Sequence, residues 1–353
     1  MIIPNGLYTI PSHQPFLKRL AEGLLESVDG QLDQLAQIRV MLPTRRAARG
    51  LRDVFPLLID RPALLPRLQP IGDVDADELD LTLAGYGLDL EPIPPAIPKL
   101  ERQFLLAELI SAKEKNLGFD QCLSLAGDLA VLIDQVHTES LDFSNLTKLV
   151  PQSDALSAHW KETLEFLEII TAVWPAILKE RGQIDASERR VRLMDTLVNL
   201  WSLHPPQTPV IAAGSTGSIP ATARLLGAIS KLPKGAVILP GLDLELPETD
   251  WALLGDTHPQ RTMLNFLTGL QKTRADVKLW PDGSGTTENS RTTWIRAMMA
   301  PAETYGSYRL GADELDDYRA SVSICEAANP REHAALIATA IPCVWLGAKL
   351  ARR

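Results

Sequence analysis

The stretch IRVMLPTRRAARGLR, residues 38–52, decides the fold class of this chain. Ile38 to Pro43 is apolar and β-branched and reads as a buried strand. Thr44 then stands where a helix N-cap belongs, ahead of a helix over Arg45 to Phe55. The same alternation lies upstream. Gly6 to Ile10 reads as a strand, Pro11 to Pro15 as a turn, and Phe16 to Glu26 as a helix with Phe16, Leu17, Leu20 and Leu24 on one side. It resumes far downstream with a strand at Pro209 to Gly214, a helix at Ala221 to Lys231, and strands at Ala236 to Pro240 and Val277 to Trp280. Strand alternating with helix predicts an α/β fold with a parallel sheet.

The intervening chain differs in texture. Residues 56 to 98 hold six prolines between Pro66 and Pro98, with the acidic run Gly72 to Glu78 among them, and read as a long irregular linker. Residues 99 to 204 read as helical throughout. Leu100, Phe104, Ala107 and Ile110 keep helical spacing, as do Cys122, Leu125, Leu129, Leu132 and Val136. A third helix is expected from about Ala155 to Arg181, with Trp160, Leu164, Leu167, Ile170, Trp174 and Ile177 on one stripe. Asp185 with Glu188 three residues on predicts a capping-box start for a fourth, ending near Trp201. The division is therefore a first α/β part with its linker (1–98), an inserted all-helical subdomain (99–204), the remainder of the α/β domain (205–317), and the start of a second α/β domain (318–353). That last part is expected to open with a strand at Ser321 to Glu326 and a helix from Pro330, whose pattern Pro342 to Lys349 breaks.

Composition narrows the function. Of 353 residues, 45% are hydrophobic and 22% charged, which suits a globular protein. Lys and Arg total 35 against 44 Asp and Glu, a net charge of -9. A chain this acidic is no general polyanion binder, so any nucleic-acid contact must use a local basic patch. Cys122, Cys325 and Cys343 form no C-x-x-C pair. That speaks against a disulfide framework, a zinc site or a cysteine-held cluster, and fits a reducing, cytoplasmic setting. No apolar run approaches the length of a membrane span, and MIIPNGLYTI has no signal-peptide form.

Several motifs bear on chemistry. The first strand-turn, Ile10 to Leu17, sits where a nucleotide-binding α/β protein places its phosphate loop. It has no glycine and no Lys-Ser/Thr pair, and its two prolines lack N–H donors, so it is unsuited to a triphosphate. From Arg39 to Arg52 there are five arginines and no acid, and Arg45, Arg49 and Arg52 share a helix face. With the helix N-terminus behind them they suit nucleic-acid phosphates. An equal alternative is a solvated face that pairs with Asp53 or the 73–80 acidic stretch. Asp73, Asp75 and Asp77 resemble the start of a calcium loop, but Glu78 and Ala84 replace its glycine and its last ligand, so a solvated acidic loop is the better reading. Gly214, Ser215, Thr216 and Gly217 follow a strand and form either an anion-binding turn or a structural one, the structural reading outweighing a catalytic one. The histidines show no metal-ligand spacing, and no nucleophile–base set can be assembled.

An ordered set of segments carries a resemblance. Val40 to Arg52, Leu65 to Asp75, Thr163 to Ile170, Trp174 to Leu178, Ala213 to Pro220, His258 to Gln260 and Cys325 to Glu332 together resemble the alphaproteobacterial AddB family, the double-strand break repair subunits of AddAB helicase–nucleases. The resemblance implies a RecA-like superfamily 1 helicase fold with a degenerate, Walker A-less first loop. It also implies DNA guiding in homologous recombination, with Thr44, Arg45, Arg46 and Arg49 on DNA phosphates, and AddA and DNA ends as partners. No cofactor is expected in this chain. ATP would belong to the partner subunit, and magnesium and an iron–sulfur cluster to a nuclease domain that these residues lack. The chain is far shorter than that family, so a truncated or frameshifted product without activity of its own is expected. Two alternatives remain: a non-catalytic protein-interaction module using the helical insert, and a stand-alone NTP- or phosphate-handling enzyme using Gly214 to Ser218.

Overall fold

The computed structural model describes residues 5–88, 91–142, 166–281, 290–307 and 325–350. The chain forms two compact units, residues 1–245 with 256–285, and residues 246–255 with 286–353. The first is an α/β body around a six-stranded sheet in which every strand pairing is parallel. Its strands are β1 (Gly6–Ile10), β2 (Arg39–Leu42), β3 (Arg67–Pro70), β4 (Val210–Ala213), β5 (Gly235–Pro240) and β6 (Val277–Leu279), in spatial order β3-β2-β4-β5-β1-β6. The central strands are apolar on both faces, as a sheet covered on both sides requires.

Helices α1 (Phe16–Ser27) and α2 (Arg45–Leu58) cover one face. Leu20, Ala21 and Leu24 of α1 and Ala48, Leu51 and Phe55 of α2 close a core over Tyr8, Ile10, Val40, Leu42, Ile211 and Ile238. Thr44 caps α2 as its position predicts, its Oγ1 accepting from the Ala47 N–H at 3.1 Å. The sheet–helix alternation of residues 1–55 and 209–240 thus follows the sequence closely.

Residues 56–98 do not form the irregular linker expected of them. They supply the edge strand β3, in parallel register with β2 from Arg39↔Arg67 to Leu42↔Pro70, and then a helix, α3 (Ala76–Gly85). Prolines are tolerated because they fall at the strand's ends, Pro66 just before it and Pro70 as its last residue. The acidic run is the start of α3. Asp75 caps it, its Oδ1 accepting from the Asp77 and Glu78 N–H groups at 3.0 and 3.2 Å, and acids in a first helical turn favour the dipole.

The helical region comprises α4 (Lys99–Lys113), α5 (Phe119–Thr138), α6 (Trp174–Arg181) and α7 (Ala186–Leu203). Ahead of α6, residues Ile169–Val173 form a π-helical turn. Trp160 and Leu164 of the expected third-helix stripe lie outside the described residues, whereas Ile170 and Trp174 are buried in one cluster with Leu106, Ile110, Cys122 and Leu129, and Leu167 and Ile177 pack half-buried against it. Asp185 is the N-cap of α7 by position, but the expected capping box is not made. Its carboxylate is 1% exposed and turns inward, where Arg102 Nε lies 2.8 Å away and the Trp174 indole N–H donates at 3.0 Å. A buried charge needs such partners more than a helix end needs a cap.

Helix α7 packs on α5 and on α8 (Pro220–Lys231), and α8 covers the second face of the sheet. Helix α10 (Arg261–Gly269) lies beside α8, with Phe266 against Gly217 and Leu270 against Gly227. The second unit contributes α9 (Glu248–Ala252), α11 (Ser290–Met298) and α12 (Pro330–Leu350). Of the strand expected at 321–326, residues 321–324 lie outside the described residues, and Cys325 and Glu326 are not in a strand. Helix α12 runs unbroken through Pro342, against the expectation that Pro342 to Lys349 break the pattern. One proline inside a helix removes a single ladder bond, and α2 likewise runs through Pro56.

Candidate functional site

The connections define where a ligand can reach the sheet. The chain leaves β2 through α2 on one face, while it leaves the neighbouring β4 through α8 on the other. Adjacent strands whose connections part to opposite faces open a crevice at their carboxyl ends, the usual binding place of an open parallel sheet. Here that crevice is a cleft of about 510 Å³.

Four segments line it. The β2–α2 turn gives Pro43, Thr44 and Arg45, and the β3–α3 turn gives Ile71, Gly72 and Asp73. The β4–α8 turn gives Gly214, Ser215, Thr216 and Ser218. From the helical region come Thr138 at the end of α5 and Ser187, Arg190 and Met194 on α7. Parts of the two stretches that the sequence marks as chemical, Thr44–Arg45 and Gly214–Thr216, are 170 residues apart by number (214 minus 44) and meet in one cleft.

The geometry favours an anion. The α2 and α8 N-termini both open onto the cleft, and the first N–H groups of a helix have no partner within it. Gly214 adopts φ +82°, in the left-handed region, and Gly217 φ +71°. The Gly217 N–H bonds the Ser215 Oγ at 3.3 Å, which folds the turn back on itself. Thr44, Thr138, Ser215, Thr216 and Ser218 bring hydroxyl side chains to the lining, and Ser187 turns its hydroxyl to Asp134 at 2.7 Å. The charged lining residues are Arg45, Arg190 and Asp73. The lone carboxylate is tied to Arg45, whose Nε and Nη2 lie 3.0 and 2.9 Å from one Asp73 oxygen. A cleft with two guanidiniums and several hydroxyl side chains among its described lining residues is equipped to hold an anion.

The expected site residues divide in two groups. Thr44 and Arg45 are in the cleft, while Arg46 and Arg49 are exposed on α2 outside it, next to Arg52. Arg46, Arg49 and Arg52 form no ion pair among the described residues. Gly214, Ser215 and Thr216 line the cleft, and Gly217 is the turn residue behind them. Two arginines of the basic stretch pair with the acidic one, Arg45 with Asp73 and Arg39 with Glu78, while Arg46, Arg49 and Arg52 face solvent. Arg190 does not stand out in the sequence, where it is one of several arginines in a polar helix. Its position becomes meaningful only once α7 is laid over Gly72, whose missing side chain lets the Arg190 stem pass: a Cβ there would stand 3.1 Å from Arg190 Cδ.

The first strand-turn is filled differently. Gln14 N–H bonds Pro11 O at 3.0 Å, Pro15 precedes α1, and the Phe16 ring lies against Gly214, 3.2 Å from where a Cβ would be. A second charged constellation, His137, Asp185 and Glu188, brings three ligand-type atoms together near the base of α7. Asp185 there is already engaged by Arg102 and Trp174, so these residues hold the helices together and do not offer an open metal site.

Fold and cleft together define an open, all-parallel α/β protein with an anion-suited cleft at a topological switch point. Comparison with known protein families and with curated proteins gives no match. Among the described residues, no helix is long and apolar enough to cross a membrane.

Proposed function

We propose that this chain is a DNA-guiding, ATPase-inactive helicase-like protein of the AddB type, serving double-strand break repair as part of a helicase–nuclease complex. The observation that carries the reading is the meeting of the basic β2–α2 turn and the glycine–hydroxyl β4–α8 turn in one cleft, with exposed Arg46, Arg49 and Arg52 continuing the positive surface along α2. Phosphate oxygens would be received by the Thr44–Arg46 end of α2 and by these arginines, contacts that position a strand without reading its bases. The Phe16 ring against Gly214 supports the absence of nucleotide turnover, because an apolar ring there takes the space between the first loop and the β4 turn.

The test is binding of a labelled oligothymidylate and of a forked duplex by fluorescence anisotropy across a salt series. The double variant Arg46→Glu with Arg49→Glu is expected to weaken binding at least tenfold at low salt. It should also flatten the dependence of log affinity on log salt by about 0.7 for each phosphate no longer neutralised. Unchanged affinity with an unchanged slope overturns the assignment.

A further inference from the structure

The Arg45–Asp73 pair has a shape that a phosphate would copy. Arg45 presents Nε and Nη2 to a single Asp73 oxygen at 3.0 and 2.9 Å. That is the side of a guanidinium used for carboxylates and phosphates alike. The pair spans two turns at the mouth of the cleft, and it is loose, with side chains 77% and 43% exposed. Exposed pairs of this kind contribute little to stability, so an anion of higher charge density can displace the aspartate. On the other side of the same turn, Arg190 reaches across Gly72 into the cleft and forms no ion pair among the described residues. The charged lining is thus one guanidinium occupied by an internal carboxylate and one left open.

We propose that the cleft is a subsite for one phosphodiester group, held between Arg45 and Arg190, and that Asp73 is its built-in competitor, holding Arg45 until a nucleic-acid phosphate takes its place. This rests on the DNA-guiding reading and adds two residues to it: a second cationic arm from the helical insert, and a carboxylate that sets the threshold for binding. An anion that seats here releases Asp73 to solvent and neutralises the excess positive charge of the cleft. The insert and the sheet are then tied through the ligand, since Arg190 is on α7 and Arg45 on α2.

The experiment compares oligothymidylate binding by the full chain and four variants, with thermal melting followed for each. Asp73→Asn is expected to bind about two- to fivefold tighter, the range an exposed ion pair can withhold, and with a salt slope steeper by about 0.7. Asp80→Asn, which removes the same charge from an exposed site on α3 away from Arg45, is expected to match the wild type. Arg190→Met keeps the apolar stem over Gly72 and is expected to bind several-fold more weakly with near-wild-type melting, while Arg190→Lys retains most of the affinity. Asp73→Asn behaving as Asp80→Asn does, or Arg190→Met binding as the wild type does, overturns the inference. If either occurs while Arg46→Glu with Arg49→Glu still weakens binding, the DNA-guiding reading stands alone. If neither the wild type nor any variant binds the oligonucleotide, both fall.

Discussion

At the scale of single residues, the most consequential polar side chain in the sheet is Thr9. It is fully buried in strand β1, between β5 and the edge strand β6, yet neither of its hydroxyl's roles is idle. Oγ1 donates to Leu239 O at 3.1 Å and accepts from the Leu242 N–H at 3.0 Å, so it fastens β1 to the exit of β5. Thr9→Val keeps the shape but strands the buried Leu242 N–H. A loss of about 1–3 kcal/mol is expected in urea denaturation, with Thr9→Ser recovering part of it. A loss below a few tenths of a kcal/mol would mean the hydroxyl is incidental. In the sequence Thr9 is only a polar letter in a short strand, because nothing local shows what stands opposite it. The same holds for Arg45. Composition gives its sign and spacing gives its face, but the choice between phosphate contact and acidic partner depends on where the β3–α3 turn falls. Asp73 lies 28 residues further along the chain and reaches Arg45 only through β3.

At the scale of elements, two charged assemblies hold pieces together. Glu78 on α3 accepts from Arg67 Nη1 at 3.0 Å, and also from Arg67 Nη2 and from Arg39, binding α3 to the entrances of β2 and β3. The Arg67 hydrogen bond, with help from Arg39, holds the Glu78 carboxyl below its usual 4.5. A depressed carboxyl stabilises the fold above its unfolded pKa, and the contribution fades as pH falls through the folded value. The stability difference between wild type and Glu78→Gln should therefore be constant above about pH 5 and shrink below about pH 4.5. With Glu78 36% exposed it is screened, and about 1 kcal/mol or less is expected. A difference that grows on acidification would contradict the assignment. Deeper in the helices, Arg102 on α4 joins Asp185 at 2.8 Å, both Asp134 oxygens at 3.0 Å and Ala130 O at 3.1 Å. Asp185→Asn leaves a nearly buried guanidinium short of a charge, and chemical denaturation should record a loss of about 3–5 kcal/mol. A loss under about 1 kcal/mol would show that Asp134 suffices. Most helices and strands of this body are legible from periodicity and caps. Among the exceptions, β3 and α3 are hidden by prolines that prove to mark a strand's ends, and by acids whose value as a helix start is outweighed by their look of a solvated loop, while α10 is not marked in the sequence reading at all.

At the scale of the molecule, the parallel α/β class is legible because its strands are short apolar runs separated by helical ones. The strand order is not, since β1 pairs with β5 and β6, neither of which is near it in the chain. The cleft is legible in parts only. Its two turns stand out by composition, but their meeting is set by the order β2-β4, and the arm supplied by α7 follows from packing alone. The seat of β1 between β5 and β6 also bears on how the protein is made. Thr9 and Leu239 are 230 positions apart. On a ribosome that adds about 5–20 residues each second, β1 waits roughly 10–50 seconds for its neighbour β5. Through that interval the apolar β1, with the amphipathic α1 behind it, has no sheet to join. The first of these strands is therefore held back from its place until β5 and β6 have been made, and the sheet cannot close before then.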